Sequence, residues 1–261
     1  MRIGITERGD AGINLAWVDK MSTVDGAVLI TKNITEEFKA AVLNCKKPLI
    51  VHCTCTGYGG TFLEPNVPDY KTQIDNLRNL IDRGFPAERC VLRIDPIFPT
   101  DSGLVKVHNV IQYFESTIYP ASEKEWEDEM MGRIRVSVVD EYQHVKDRYR
   151  KNGITPLYGN NFQASDAQLN LVIRELSIYP MEYEVCTENR LYQLGKEKYE
   201  HLFEVIGCIS KKDLDLMGVN YTDMDINPQG RNGCHCLSCK TELLTDRKPC
   251  PNGCLYCYWR G

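Results

Sequence analysis

The chain has 261 residues, 43% of them hydrophobic and 26% charged, which suffices for a globular protein with a sizeable buried core. Its net charge of −5 rules out a broad basic surface, so a nucleic-acid partner finds no support in net charge, although a local basic groove stays compatible with one. No stretch is apolar enough to span a membrane and the opening MRIGITERGD carries no apolar signal core, so the expected compartment is cytoplasmic.

Seven short runs read as strands in chain order: RIGIT, GAVLIT, KPLIVHC, RCVLRID, GRIRVSVVD, EYEVC and LFEVIGC. Most are rich in Val, Ile and Leu and bounded by Gly, Pro or charged residues. Helical patterns fall between them. ITEEFKAAVLNC has Thr35 at its cap position. PDYKTQIDNLRNLIDRG puts Ile74, Leu77 and Ile81 on one face and stops at Gly84. SDAQLNLVIREL is capped by Ser165 or Asp166. EKEWEDEMM reads as a solvated helix face and GITPLYGNNFQASD as a long surface loop. No G-x-G-x-x-G follows the first strand, which argues against a dinucleotide-binding unit. Seven βα-like units predict an α/β fold with a parallel sheet, a partial or complete (β/α) TIM-like barrel over residues 1–210. Residues 211–261 break the rhythm and form a cysteine-rich C-terminal extension. It is rich in Gly, Pro and Asn, lacks the apolar residues for a core, and is expected to be tied down by metal ligation.

The twelve cysteines concentrate late, with eight from Cys186 onward and six in the last 28 residues. Without an export signal, clustered thiols point to metal rather than to disulfides. Cys250, Cys254 and Cys257 form a C-x3-C-x2-C frame with Tyr256 before the last cysteine. Three such thiolates can each hold a different iron of one [4Fe–4S] cluster, leaving the fourth iron open, whereas electron carriers hold theirs with four. A structural zinc ion, which takes four ligands, is the competing reading. Cys186 and Cys208 close predicted strands, where the sites of α/β barrels gather. In the extension, Cys234, Cys236, Cys239 and His235 compose an alternative zinc set, although adjacent ligands are awkward around one ion. Cys53 and Cys55 lie two apart on a strand, share one side, and are expected as buried thiols on the inner face. Cys45 and Cys90 read as packing residues, and the histidines show no metal-binding spacing.

The C-x3-C-x2-C frame resembles that of the radical S-adenosylmethionine superfamily. Members usually carry it after the first strand; here that loop, TERGDAGIN, has no cysteine and the motif closes the chain. The ordered set TKN, TGYG with LEPNVPD, LRIDPI, VCTEN, GCISKKDL, QGRNGCHC and PNGCLYCY is similar to a family of bacterial and phage proteins with the motif displaced in this way, as if permuted. The resemblance implies a [4Fe–4S] cluster with an open iron site on Cys250, Cys254 and Cys257. There S-adenosylmethionine is cleaved reductively, and the 5′-deoxyadenosyl radical takes hydrogen from a substrate in an isomerisation or bond rearrangement. It further implies an electron donor such as flavodoxin or ferredoxin and a small-molecule or nucleobase substrate. A second, auxiliary [4Fe–4S] cluster would sit on Cys186, Cys208, Cys234 and Cys236, with Cys239 spare.

Cofactor-binding candidates follow from position. Thr31, Lys32 and Asn33 stand where the superfamily supports the methionine amine, without its glycines. Gly57, Tyr58 and Gly59 allow close backbone approach and ring stacking after the third strand. Arg93 and Asp95 share a strand face near its C-terminal end, where an inward ion pair marks a site. Arg8, Asp10 and Glu188 occupy similar loops. No residue is singled out as catalytic. The alternative is a non-catalytic zinc or iron–sulfur module that binds nucleic acid or protein through its tail, with Lys240, Arg247, Lys248 and Arg260 as its cations.

Overall fold

The computed structural model describes residues 1–120, 132–179, 181–221, 234–245 and 250–259. The EKEWEDEMM segment, Arg247, Lys248 and Arg260 lie outside the described residues, as does the QGRNG segment. All seven predicted strands are present: β1 (Ile3–Ile5), β2 (Gly26–Thr31), β3 (Leu49–Thr54), β4 (Cys90–Ile97), β5 (Arg133–Val138), β6 (Tyr183–Val185) and β7 (Phe203–Val205). An eighth, β8 (Lys240–Glu242), comes from the stretch expected to be an extension and pairs in parallel with β1. All neighbours in the sheet are parallel, in the order β7-β6-β5-β4-β3-β2-β1-β8.

That order is sequential, as in a (β/α) barrel, but among the described residues β7 and β8 share no ladder and the sheet is open between them. Among those residues the sheet therefore does not close into a barrel. Both end strands are three residues long, and each forms a ladder with its inner neighbour alone, β7 with β6 and β8 with β1. Loop contacts stand in its place. The Leu237 amide donates to the Ile209 carbonyl at 3.4 Å, and Gly207 lies so close to the opposing chain that a Cβ would meet the His235 carbonyl oxygen at 2.4 Å. Only glycine permits that approach.

Helices follow the strands: α1 (Trp17–Lys20), α2 (Glu36–Asn44), α3 (Tyr70–Asp82), α4 (Asp101–Ile118), α5 (Gln143–Lys151), α6 (Asp166–Leu176), α7 (Asn189–Lys198) and α8 (Lys211–Met217). Thr35 and Ser165 cap α2 and α6 through side-chain hydrogen bonds, as their sequence positions predict. Gly84 ends the α3 region at φ +101°, a conformation that suits glycine. The core has two layers. Leu29, Val51, Leu92, Val136 and Val185 pack outward against helix residues such as Ile74, Leu77 and Val110. Alternate residues Ile3, Ile5, Val28, Ile50 and Val91 face the other way, onto Leu214 and Met217 of α8. Met217 reaches the first residue of β2, so α8 closes the N-terminal end of the strands and leaves the C-terminal end open to a cavity.

Cys53 and Cys55 belong to the outer, helix-facing layer, with the Cys53 thiol directed at the Gln73 carbonyl of α3 at 3.9 Å. They are buried as expected but not on the inner face. Alternation fixes that the two share a side, and packing fixes which side. The inner positions beside them are His52 and Thr54.

A candidate metal centre at the C-terminal edge of the sheet

Loops following β1, β2, β5, β6 and β7 and the end of the chain enclose a cavity of about 840 Å³ at the C-terminal edge of the sheet. Six cysteines from the two halves of the late cluster border it: Cys186, Cys208 and Cys236, and Cys250, Cys254 and Cys257. Cys234 borders it as well. Cys239 does not; its side chain is buried in the inner apolar layer with Ile209 and Leu214.

The first group is tight. The thiols of Cys186, Cys208 and Cys236 all lie within 4.8 Å of one another, and the Cys186 and Cys208 sulfurs are 3.6 Å apart. Cys186 and Cys208 extend β6 and β7, while Cys236 arrives from the chain leading into β8, so the open seam of the sheet brings them together. Thiol hydrogens from Cys186 and Cys208, together with the Cys208 amide at 3.2 Å, pull Cys236 well below the ordinary thiol range. Lys240 adds a cation nearby, itself paired with Glu7. Thr187, next to Cys186, holds φ at +61°, the only non-glycine positive φ among the described residues. A β-branched residue adopts that conformation at a cost, here offset in part by its hydroxyl donating to the Cys186 carbonyl at 2.6 Å. Beyond it, burial pushes Glu188 up to about 8, although its carboxylate accepts the Val138 amide at 3.0 Å.

Below this group runs a buried ion network. Glu184 accepts from Arg133 at 2.6 Å and from Arg135 at 2.8 Å, and Arg133 also reaches Asp213 of α8 at 2.8 Å. Burial would raise Glu184, but Arg135 and Arg133 outweigh it and hold the carboxyl at about 2. Arg135 also donates to the Cys208 carbonyl at 3.3 Å, which ties the network to the thiols.

The second group is the chain end. Its three thiols do not all come within 4.8 Å of one another, but the backbone between them is firmly held. Leu255 donates its amide to the Leu63 carbonyl at 2.9 Å, and Arg148 donates to the carbonyls of Leu255 at 2.6 Å and Cys257 at 3.0 Å. Tyr256 packs edge-on against Phe98 at 5.6 Å. Burial pushes the Cys254 thiol up to about 12, with Lys32 opposing, and burial likewise raises Cys250.

The structure separates the sequence-derived cofactor candidates. Thr31, Lys32, Arg93 and Asp95 border the cavity. Arg93 and Asp95 form an inward ion pair, Nε to carboxylate 2.8 Å, and Ser137 donates to the same Asp95. Thr31, Lys32 and Asn33 spend their polar atoms on the protein, chiefly on Asp10, Glu64 and Asn252. Gly57, Tyr58 and Gly59 do not border the cavity. Tyr58 is buried edge-on against Phe98 at 5.0 Å under Lys106, and Gly59 sits where a Cβ would strike the Pro68 carbonyl at 1.9 Å. Gly57 and Gly59 thus serve close chain packing, while Gly60 serves a turn at φ +74°.

A family model described as a domain of unknown function (DUF1848) matches residues 14–259. The chain belongs to the DUF1848 family. No curated protein matches it. The match spans both cysteine groups and every strand except β1 of this DUF1848 chain.

Sequence reasoning missed three parts of the DUF1848 site. The pairing of Glu7, in the loop after β1, with Lys240 of β8 lies beside Cys208 and joins opposite ends of the chain. Glu64 lies under the chain end. An aromatic lip flanks the cavity: Tyr142 lies 5.8 Å from Tyr258, Tyr258 lies 5.1 Å from Trp259, and Arg8 covers Trp259 at 5.5 Å. Tyr258 and Trp259 stay 50% and 51% exposed. The one sequence signal for the lip was the YWR run after the last cysteine, because consecutive aromatics in a polar tail have no core to enter.

Proposed function

We propose that this protein is a radical S-adenosylmethionine enzyme whose chain-end cysteines, Cys250, Cys254 and Cys257, hold a [4Fe–4S] cluster with one open iron. The observation that carries this reading is the meeting of a three-thiol frame with a cavity bordered by charged side chains at the C-terminal edge of a parallel sheet. The donor set fits the group. Three thiols border the cavity there without crowding together, and a cluster of several irons needs its thiolates further apart than a single ion does. Held there, such a cluster would take an electron from an external reductant and supply it to S-adenosylmethionine, whose C–S bond would break to give methionine and a 5′-deoxyadenosyl radical able to take hydrogen from an unactivated C–H bond.

The chain's own residues supply binding and exclusion. Arg93 and Asp95, held by each other and by Ser137, present fixed charge at the cavity wall for the polar groups of a ligand. Tyr258 and Trp259 offer exposed rings at its edge, with half-buried Tyr142 beside them, which suits a planar substrate such as a nucleobase. The anchored chain end covers one side and keeps water from the reacting centre.

For the Cys186, Cys208 and Cys236 group, an auxiliary [4Fe–4S] cluster completed by Cys234 is one reading. One observation favours a second. Sulfurs at the corners of a tetrahedral zinc site stand about 3.8 Å apart given Zn–S bonds of about 2.3 Å. The Cys186–Cys208 separation is 3.6 Å. A zinc ion there would make this site structural and leave the chemistry to the chain end.

The test is anaerobic reconstitution with iron and sulfide, followed by metal analysis and EPR of the reduced protein with and without S-adenosylmethionine. A spectrum that changes on addition, with release of 5′-deoxyadenosine, supports the enzyme. Eight irons per chain indicate two clusters, and four irons with one zinc indicate the second reading of the inner group. Zinc alone, with no response to S-adenosylmethionine, overturns the proposal in favour of a non-catalytic module.

A further inference from the structure

We infer that Asp10 and Glu64 are positioning residues that set the geometry of the chain-end cysteines before any metal binds. The inference rests on the chain end being a metal site, not on the reaction or on the identity of the metal. Each carboxylate pins one of the two links between successive cysteines. Asn252 lies between Cys250 and Cys254, and its side-chain amide donates to Asp10 at 2.7 Å. Tyr256 lies between Cys254 and Cys257, and its hydroxyl donates to Glu64.

Neither carboxylate is a surface charge. Glu64 is 1% exposed and Asp10 6%. Asp10 accepts from five donors: the amides of Gly12 and Lys32, the Thr31 hydroxyl, and the side-chain amides of Asn33 and Asn252. Glu64 accepts from Tyr256, from Lys32 Nζ at 2.8 Å and from Thr56 at 2.7 Å. A buried carboxylate is tolerated only when several donors meet it, and a carboxylate held by three to five donors has little freedom to move. Lys32 joins the two clamps, its backbone amide on Asp10 and its ammonium on Glu64. Asn33 adds a cross-tie, donating to Asn252 Oδ1 at 2.7 Å.

The loops after β1 and β3 thus grip the chain end at two points, with the loop after β2 as the bridge. The Lys32-Asn33 pair, read from sequence as cofactor contacts, is committed to this clamp. Ligation is then not what folds the chain end. The thiols are presented to the metal on a backbone already fixed, as outer-shell carboxylates do for other metal ligands.

The first test is hydrogen exchange on the metal-free full-length chain. The Leu255 amide, bonded to the Leu63 carbonyl, should stay protected, and equally so in the Cys250→Ser/Cys254→Ser/Cys257→Ser variant. Exchange at the rate of an unstructured peptide in the metal-free chain overturns the inference. The second test titrates cobalt(II) in a background carrying Cys186→Ser, Cys208→Ser, Cys234→Ser and Cys236→Ser, read by the thiolate-to-cobalt charge-transfer absorption. Tyr256→Phe keeps the ring and removes only the clamp hydroxyl; Asn252→Ala removes only the amide. Each should weaken cobalt(II) binding about 10- to 100-fold. Unchanged affinity overturns the positioning role. No charge-transfer absorption in the parent background sinks the metal-site reading itself, while the exchange experiment still judges the clamp.

Discussion

The two cysteine groups solve opposite halves of the same problem. Cys186, Cys208 and Cys236 have their sulfurs gathered, all within 4.8 Å, but they come from three separate pieces of chain that meet at the open seam of the sheet. Cys250, Cys254 and Cys257 come from one short piece whose backbone is anchored by buried carboxylates, Arg148 and aromatic packing, while the sulfurs themselves stand apart. The first arrangement resembles a lock across a seam, where a bound metal would join β6, β7 and the approach to β8. The second resembles a preset socket. The difference teaches that closeness of thiols and order of backbone are separate properties. A metal can supply the first where the fold supplies the second, or the reverse.

The comparison breaks most completely at the chain end. Cys254→Ser should abolish 5′-deoxyadenosine release, measured by chromatography, while metal at Cys186, Cys208 and Cys236 persists. Next in size, Glu184→Gln leaves Arg133 and Arg135 short of a buried counter-charge and should cost about 3–5 kcal/mol in urea unfolding. Since Arg135 also holds the Cys208 carbonyl, metal at the seam should fall with it, and metal at the chain end should not.

Acid sharpens the contrast more gently. Burial would raise Glu64, but Lys32 and the hydrogen bonds outweigh it, and its carboxyl lies below the ordinary 4.5. A depressed folded-state pKa contributes stability that is complete above pH 4.5 and is lost as pH falls through the folded value. Protection of the Leu255 amide in the metal-free chain, corrected for the intrinsic pH dependence of exchange, should therefore fall once the pH drops below 4.5 and through the folded value, and Glu64→Gln should remove that dependence. Smallest of all, Cys239→Ala should leave the metal content of both groups unchanged and cost no more than about 1 kcal/mol, as for a small buried apolar side chain. A drop in metal content would make Cys239 a ligand.

Much of the scaffold was legible because β-branched apolar runs bounded by Gly and Pro leave few other readings, and all seven such runs are strands. β8 was not legible. Lys-Thr-Glu is short and polar, and only its backbone pairing with β1 makes it a strand. The inward Arg93–Asp95 pair could be read from spacing and a strand's alternation. Tyr58 could not be placed, since a glycine-flanked tyrosine serves a cavity wall or a packed corner equally well. The roles of Glu64 and Asp10 left no trace at all, because Tyr256 is 192 residues from Glu64 and Asn252 is 242 from Asp10.

By itself, then, the sequence determined an α/β chain with a parallel sheet and a late concentration of thiols, because local periodicity and ligand chemistry are written in consecutive residues. Tertiary structure alone decided that the sheet stays open between β7 and β8, that Cys53 and Cys55 face the helices, and that two distant carboxylates hold the chain end. Those outcomes depend on which buried donors find acceptors across the fold, and a buried charge is stabilised only by partners that folding brings to it.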